Sequence, residues 1–417
     1  MRQLAGELSQ FIDAAIPELL PRVIAWRRDL HRYPELSNRE HRTAGVVAEQ
    51  LRRLGLAPRE GVAHTGVVAD LVPHRDQTTV ALRADMDALP VAEEVDLPFA
   101  SRERGVFDGQ DVGIMHACGH DGHTAILLGV AELLTGLGER LPGNVRFIFQ
   151  PAEEGPPRGE AGGAKLMVHE GVLQDPVPSA IFGLHLIAGI EVGRILYRAG
   201  PTMASGDLLH ITVRGSQTHG ALPWRGVDPI VVGAQIVLAL QTVVSRQIDL
   251  TLEPAIVTIG CMHGGVRSNI IPDRIKMIGT IRTFDEAMRH DIHQRVRRTV
   301  EKIAESAGAS AVVEIESMYD VTVNDVALTE QMAPILQRSI GADRVRIGPK
   351  LTGSEDFSVF QQHVPGFFYF VGCTPPNTDP AHAAPNHSPR FFVDEAALEI
   401  GLRSMASAAV EYLCARV

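Results

Sequence analysis

Val145-Arg146-Phe147-Ile148-Phe149 is followed at once by Gln150-Pro151-Ala152-Glu153-Glu154-Gly155. The first run is apolar enough to form a buried strand, and Pro151 and Gly155 bracket the acid pair rigidly after it. A pair of adjacent acids therefore stands just beyond a strand. Because sites in open α/β sheets form beyond the carboxyl ends of strands, this stretch predicts both a fold class and a location for chemistry.

Two other strand-like runs lead to a polar group in the same way. Asp85 comes after Val80-Ala81-Leu82, and His185 comes after Ile181-Phe182-Gly183-Leu184. Such runs alternate with helix-like stretches, of which Thr124–Leu134 is one, and the first 60 or so residues have helical periodicity. This alternation predicts an α/β fold in which a mixed sheet is covered by helices.

The segment from Gly206 to Glu316 follows a different order: strand, helix, strand, strand, helix, strand. That order is typical of a ferredoxin-like α+β domain. The predicted elements are Leu208–Val213, Asp228–Val244, Ala255–Ile259, Arg274–Thr280, Glu286–Ala307 and Ala311–Ile315. Since 417 residues are more than one ordinary core organises, we predict a catalytic domain in two parts, 1–205 and 317–417, with the domain 206–316 inserted between them.

Composition excludes several classes of protein. A net charge of −11 argues against nucleic acid as a partner, and 45% apolar with 21% charged residues is ordinary for a globular protein. The four cysteines are scattered, which predicts no disulfide framework and a reducing compartment. The N-terminus lacks a signal peptide pattern, and the apolar stretch Pro229–Leu240 falls short of a membrane span. We therefore expect a cytoplasmic protein with no membrane partner.

A run rich in metal-binding side chains is Met115-His116-Ala117-Cys118-Gly119-His120-Asp121-Gly122-His123. A lone Cys-x-His pair is commonly a buried cysteine beside a turn histidine, but the glycines here let the backbone bend and approach closely. Together with Glu153-Glu154, His185 and His387, the run offers the sulfur, nitrogen and oxygen donors that zinc-like ions bind. His116 and His123 are open to a structural role instead.

The acid pair can supply a ligand and a base side by side. Adjacent residues of an extended chain point in opposite directions, so one carboxylate can hold a metal while the other reaches a water. Two ionised acids away from solvent also repel, which a nearby cation would relieve. The alternative is a solvated pair in a loop. Asp85 and Asp87 either accept a proton from a ligand imidazole or cap a helix.

In the predicted inserted domain, a histidine, an amide and a guanidinium are candidates to bind a carboxylate: His219, Asn269 and Arg282. From spacing alone, each fits an ordinary surface residue better than a binding residue.

Six motifs occur in an order that resembles the dinuclear aminoacylase/carboxypeptidase metallohydrolases. They are Leu30–Ser37, Arg83–Pro90, Met115–His123, Gln150–Gly155, His219–Pro223 and Gly353–Phe357. The branch most similar contains hippurate hydrolases, auxin-conjugate amidohydrolases and N-acetyl-amino-acid deacetylases. The resemblance runs from about residue 27 to residue 392 and implies a zinc-exopeptidase-like catalytic domain.

The resemblance also implies the site. Two divalent ions (Zn, Mn, Co or Ni) would be bound by Cys118, His120, Glu154, His185 and His387, with Cys118 as the bridging ligand. Glu153 would be the general base, while His219, Asn269 and Arg282 would contact the substrate. The inserted domain would form a homodimer or higher homo-oligomer, with His219 reaching across it.

We therefore expect a metal-dependent amidohydrolase that cleaves N-acyl amino acids of the N-acetyl or N-benzoyl type. The alternatives are a dipeptidase or carboxypeptidase acting on short peptides, and a non-catalytic metal- or ligand-binding protein. A free base beside a ligand argues against the last, because a binding protein has no use for it.

Overall fold

A computed structural model describes residues 2–416. Its α-helices, in chain order, are α1 (Arg2–Arg32), α2 (His41–Arg53), α3 (His120–Leu137), α4 (Gly163–His169), α5 (Pro229–Thr242), α6 (Glu286–Ser306), α7 (Val326–Ile340), α8 (Phe357–Gln361) and α9 (Ala396–Cys414). Its strands are β1 (Arg59–Val62), β2 (Gly66–Leu71), β3 (Thr79–Asp85), β4 (Arg104–Phe107), β5 (Gln110–Gly113), β6 (Asn144–Gln150), β7 (Ala180–Glu191), β8 (Ile195–Tyr197), β9 (Gly200–Met203), β10 (Gly206–Arg214), β11 (Thr218–His219), β12 (Ala255–Gly264), β13 (Ile270–Ile271), β14 (Arg274–Thr283), β15 (Ser310–Tyr319), β16 (Thr322–Asn324), β17 (Val345–Ile347) and β18 (Gly366–Thr374).

The chain divides into two compact units. Unit 1 comprises the residues up to Gly200, Asn324–Pro349 and the residues from Val359 onward, and unit 2 comprises Pro201–Val323 and Lys350–Ser358. Unit 2 is thus inserted into unit 1 along the sequence. The boundaries 1–205, 206–316 and 317–417 stay a prediction.

Unit 1 is built around a mixed sheet with the strand order β1-β2-β6-β3-β7-β18-β8-β17. Its central strands β6, β3, β7 and β18 run parallel. The residues of β3, β6 and β18 are buried throughout and mostly apolar, as expected when helices cover both faces of a parallel sheet. Helices α3 and α9 pack against the sheet and α1 packs on both of them. The predicted mixed sheet with covering helices is confirmed.

Unit 2 contains an antiparallel sheet with the order β12-β14-β10-β15, against which α5 and α6 pack. Strand β14 alternates buried and exposed residues along most of its length, because one face of the sheet meets the helices and the other does not. Asp228 and Asp285 cap α5 and α6 by accepting backbone N–H groups. The chain order β10-α5-β12-β14-α6-β15 has the ferredoxin-like arrangement.

Helix α5 is longer than the apolar stretch suggested, because a π-helical turn, Val243–Gln247, continues it. Among the described residues, the 19-residue segment Pro229–Gln247 is the one helix long and apolar enough to cross a membrane, with a mean hydropathy of 1.5. Length and composition alone are weak grounds for a span. One face of the segment, including Val232, Ile236 and Leu240, is buried in the core of unit 2, as in a core helix.

Candidate metal centre

The predicted site residues of unit 1 gather at the carboxyl edge of its parallel strands. Asp85 is the last residue of β3, and the acid pair begins three residues after β6 ends. His185 does not end its strand, as its predicted run suggested, because β18 keeps pairing with β7 beyond it. The pairing of β7 with β3 stops at Gly183, however, so His185 still lies just past that edge.

Cys118 and His120 flank the point where a loop turns into α3. Gly119, between them, adopts a φ of 98°, a conformation that side chains rarely tolerate. A Cβ atom there would also come within 3.2 Å of the Leu186 side chain. The glycine therefore allows the sharp turn that places both side chains beside β7.

The five predicted ligands lie together. Cys118 Sγ is 3.3 Å from His185 Nε2 and 3.3 Å from His387 Nε2, and His387 Nε2 is 3.1 Å from Glu154 Oε1. The donor atoms of Cys118, His120 and His185 lie within 4.8 Å of one another, and so do those of Cys118, Glu154 and His387. Two groups of three donors therefore share the Cys118 sulfur.

The histidine tautomers fit a metal ion. His120 Nδ1 donates to the Asp87 backbone carbonyl at 2.9 Å, and His185 Nδ1 donates to the Leu186 carbonyl at 2.8 Å. A carbonyl can only accept, so each neutral ring keeps a lone pair on Nε2. Within the described part of the chain, His120 Nε2 is buried without a hydrogen-bond partner. These residues fit a cation bound through both Nε2 atoms.

The electrostatics of the cluster also favour positive charge. Burial alone would lower the pKa of His120, but Asp85, Asp87 and Glu154 outweigh it and raise the pKa to about 10. Burial, together with Glu154, holds the pKa of the Cys118 thiol well above its ordinary value. The same surroundings that favour a proton on His120 favour a metal cation beside a thiolate.

The acid pair sits in a turn and not in extended chain, which corrects the expectation of opposite-facing side chains. Ala152 adopts a φ of 53°, and the Gly155 N–H donates to the Ala152 carbonyl at 3.3 Å. As a result Glu153 Oε2 and Glu154 Oε1 each lie 3.9 Å from His120 Nε2. Both carboxylates face one cluster, so a ligand and a base can still act side by side.

Asp85 and Asp87 both contact imidazoles, but only Asp87 lies within hydrogen-bond distance of the imidazole of a predicted ligand. Asp85 Oδ1 lies 2.6 Å from His123 Nδ1, whereas Asp87 contacts His120 Nδ1 through its backbone carbonyl at 2.9 Å and through Oδ1 at 3.3 Å. The Leu186 N–H donates to His123 Nε2 at 2.7 Å, so both ring nitrogens of His123 are used within the protein. Capping is not their role at α3, which has Gly119 at its N-cap and no side-chain cap.

The sequence singled out His116 but not Asn386. Burial lowers the pKa of His116 to about 3, so its ring is neutral, and it belongs to none of the donor groups of the described residues.

Sequence analysis did not identify the role of Asn386. Its amide donates to the carbonyls of Cys118 and Leu186 at 3.1 Å each and fixes the turn that carries His387. Only its place beside a predicted ligand could have signalled it.

Comparison with known proteins agrees with this geometry. The model of the peptidase family M20/M25/M40 matches residues 81–411. The chain belongs to this family. The predicted resemblance to the metal-dependent aminoacylases and carboxypeptidases is thereby confirmed, and so is the prediction of a hydrolase of amide bonds.

Similar members of the M20/M25/M40 family carry several activities in their names. Thermostable carboxypeptidase 1 of Saccharolobus solfataricus is 42% identical, over 94% of this chain and 95% of that protein. N-acetyl-L-cysteine deacetylase of Bacillus subtilis is 39% identical, over 90% of this chain and 84% of that protein. The crystal structure of a Bacillus subtilis dinuclear metal-binding peptidase of the M20 family is 34% identical, with a TM-score of 0.78, and covers 95% of this chain and 99% of that one.

The predicted substrate residues of this M20/M25/M40 chain lie in unit 2 and form two groups. His219 and Asn269 are exposed neighbours, since the Gly220 N–H donates to the Asn269 carbonyl at 2.8 Å. They adjoin the start of β14 at Arg274, whereas Arg282 lies near the other end of that strand. The eight residue-to-residue steps of strand from 274 to 282 span roughly 27 Å. The structure does not bring Arg282 together with the other two within one copy.

Proposed function

We propose that this chain is a dinuclear metal-dependent amidohydrolase that cleaves N-acyl amino acids of the N-acetyl or N-benzoyl type into a carboxylic acid and a free amino acid. The observation that carries the proposal is the pair of three-donor groups sharing Cys118, with the Glu153 carboxylate beside them. The similarity to an N-acetyl-L-cysteine deacetylase and to a dinuclear peptidase of the same family supports it.

Cys118, His120, Glu154, His185 and His387 would hold the two ions, with Cys118 shared. Zn, Mn, Co and Ni all suit a set of sulfur, imidazole and carboxylate donors. When bound, such ions polarise a carbonyl group and lower the pKa of water toward about 7. The protein contributes the fixed positions of its donors, through Asp87 on His120 and the Leu186 carbonyl on His185.

Glu153 is the proposed general base. It is buried, 5% exposed, within the turn formed by residues 152–155 and 3.9 Å from His120 Nε2. In this role it takes the proton of the attacking water and passes it to the nitrogen of the leaving amine. A non-catalytic binding protein would gain nothing from this second, non-ligating acid.

His219 is the proposed donor to the developing oxyanion. Its Nδ1 accepts the Ala221 N–H at 3.0 Å, so the neutral ring carries its proton on Nε2. That nitrogen is free to donate toward a substrate oxygen. Arg282, which donates to the Ser354 hydroxyl, is the proposed partner of the substrate carboxylate, and Asn269 is a further substrate contact.

The separation of these two groups supports a homodimer or higher homo-oligomer through unit 2. We propose that His219 of one copy serves the active site of another. Unit 2 offers an exposed edge strand, β12, and exposed apolar side chains on α5, including Val231 and Leu238. Both features are typical of surfaces that pair with a second copy.

We further propose that the protein works in the cytoplasm, without nucleic-acid or membrane partners. All four cysteines are free in the structure, which fits a reducing compartment. The net charge of −11 disfavours nucleic acid.

The proposed function is tested by an amide panel. Chelated enzyme is reloaded separately with Zn, Mn, Co and Ni and assayed on N-acetyl amino acids, hippurate and dipeptides. We expect metal-dependent hydrolysis of the N-acyl amino acids, with chelated enzyme as the control. Preference for dipeptides would assign a peptidase instead, and metal binding without hydrolysis of any amide would leave only a binding protein.

A further inference from the structure

The turn that carries the acid pair is held by two buried carboxyl groups. Three successive backbone amides of this turn donate to them. The Ala152 N–H donates to Glu40 Oε1 at 2.9 Å, the Glu153 N–H to Asp87 Oδ1 at 3.0 Å and the Glu154 N–H to Asp87 Oδ2 at 3.1 Å. Asp87 already belongs to the site through His120. Glu40 contacts none of the proposed ligands' donor groups, and so its carboxyl group needs an explanation.

Glu40 occupies the N-cap position of α2 but does not cap that helix. Glu35 does so in its place, because its two oxygens accept the N–H groups of Arg42 and Thr43. The Glu40 side chain is instead completely buried and turned toward Ala152, more than a hundred residues away. Burying a carboxyl group costs free energy. The hydrogen bond from the Ala152 amide, far away along the chain, offsets part of that cost, which suggests that this bond has a role.

Ala152 is where the turn is least stable by itself. Its φ of 53° lies in the left-handed region, which a residue with a Cβ atom occupies only when its surroundings enforce it. The hydrogen bond from its N–H to Glu40 is one such restraint. The Thr65 hydroxyl in turn donates to Glu40 Oε2 at 2.5 Å and fixes the orientation of the carboxyl group.

We propose that Glu40 is a positioning residue for hydrolysis. By holding the strained Ala152 peptide, it sets the direction in which the next residue, Glu153, presents its carboxylate. This inference rests on the proposed function, in which Glu153 is the base. In this role Glu40 contacts neither substrate nor metal. The hydrogen bond from the Thr65 hydroxyl keeps its carboxyl group oriented.

The test compares Glu40→Met, which keeps the length of the side chain but removes the acceptor, with Glu40→Gln, which keeps it. Burial and the nearby Asp87 raise the pKa of Glu40 to about 8, so the group is mainly neutral at pH 7 and an amide can replace it. We expect Glu40→Met to lower kcat by about 10- to 100-fold with little change in KM, since a small misplacement of a reacting group has effects of this size. Glu40→Gln should retain most of the rate.

Deuterium exchange of the peptide covering residues 150–155 gives a reading that needs no turnover. Exchange should accelerate in Glu40→Met and stay slow in Glu40→Gln. Equal exchange and equal kcat in both variants would overturn the proposal. If the wild type hydrolyses no amide, the proposed function fails, while exchange still shows whether Glu40 holds the turn.

A double-mutant cycle separates positioning from general stability. In a Glu153→Gln background, Glu40→Met should cost far less than in the wild type, because the group it positions is gone. The same fold-loss in both backgrounds would mean a merely structural role. Should Glu40→Met fail to fold, Thr65→Val removes the hydroxyl that orients Glu40, and the same exchange and kcat changes are expected at smaller amplitude. No change there would overturn the proposal.

Discussion

The proposed ligands in unit 1 and the proposed substrate contacts in unit 2 are held in very different ways. In the first group His120 and His185 are buried, and each ring is fixed by a hydrogen bond to a backbone carbonyl. In the second, His219 and Asn269 are exposed, and Arg282 lies near the far end of β14. Only the first group is complete within one copy of its own unit.

This contrast separates two kinds of preorganisation. A metal cluster tolerates little error in its donors, and the fold fixes two of the proposed ones, His120 and His185, by burial and a second hydrogen bond. Substrate contacts on an exposed surface gain their position only when substrate or another copy of the chain arrives. Variants in unit 1 should therefore alter chemistry or metal content, and variants in unit 2 should alter substrate binding and depend on assembly.

The largest effect is expected for Glu153→Gln. Removing the proposed general base should lower kcat by about 10²- to 10⁴-fold, while metal content after dialysis stays at the wild-type level because the five proposed ligands are intact. Elemental analysis and steady-state kinetics measure the two. Glu154→Gln is the matched control, since it should lose metal. Near-normal turnover in Glu153→Gln would remove Glu153 from its role.

A somewhat smaller loss, about 10²- to 10³-fold in kcat, is expected for His219→Ala, because one donor to the oxyanion is removed. The informative experiment mixes it with Glu153→Gln. If His219 serves another copy, a mixed oligomer contains sites with both residues intact, and activity returns that neither variant has alone. Subunits labelled with different tags allow the mixed species to be purified. A mixed oligomer as inactive as its parents would place His219 in the same copy as its Glu153.

The proposed ligands could be picked out from sequence because most of them lie in a short motif or close after a strand-like run. Cys118 and His120 share one run, and Glu153-Glu154 directly follows β6. The sheet with its covering helices followed from alternating periodicities for the same reason: the signal is local.

What the sequence did not reveal are contacts between residues far apart along the chain. Glu40 reaches Ala152, and Asn386 reaches Cys118, through hydrogen bonds that no periodicity encodes. The turn at Ala152 was also missed, because a left-handed alanine has no compositional sign and is stable only in its tertiary surroundings. The length of β7 likewise depends on its partner β18.

For Arg282→Met we expect KM for N-acyl amino acids to rise about 10- to 100-fold with kcat little changed, because a charge-assisted hydrogen bond is lost from bound substrate and transition state alike. An N-acyl amino acid amide, which has no carboxylate, is the matched control substrate and should be affected much less. An equal loss on both substrates, or an unchanged KM, would exclude Arg282 as the carboxylate partner.

The smallest effect is expected on the free energy of unfolding, which should depend on pH through a buried network around His31. His31 lies between Asp121, 2.8 Å from its Nδ1, and Glu93, 3.1 Å from its Nε2, and the Arg27 guanidinium also contacts Asp121. Burial alone would lower the pKa of His31, but the Asp121 and Glu93 carboxylates outweigh it and hold the pKa above its ordinary value.

A raised pKa in the folded state means that the charged form of His31 stabilises the fold. Its contribution is complete below the unfolded pKa of about 6.5 and is lost as the pH rises through the higher folded value. The free energy of unfolding of the wild type should therefore exceed that of His31→Gln by more at about pH 6 than at about pH 9, as measured by urea denaturation. Because only His31 differs between the two proteins, other titrating groups cancel in the comparison. A gap that stays constant or widens with pH would mean that His31 is neutral in the folded state, and that Arg27 alone balances the buried Asp121 beside the proposed ligand His120.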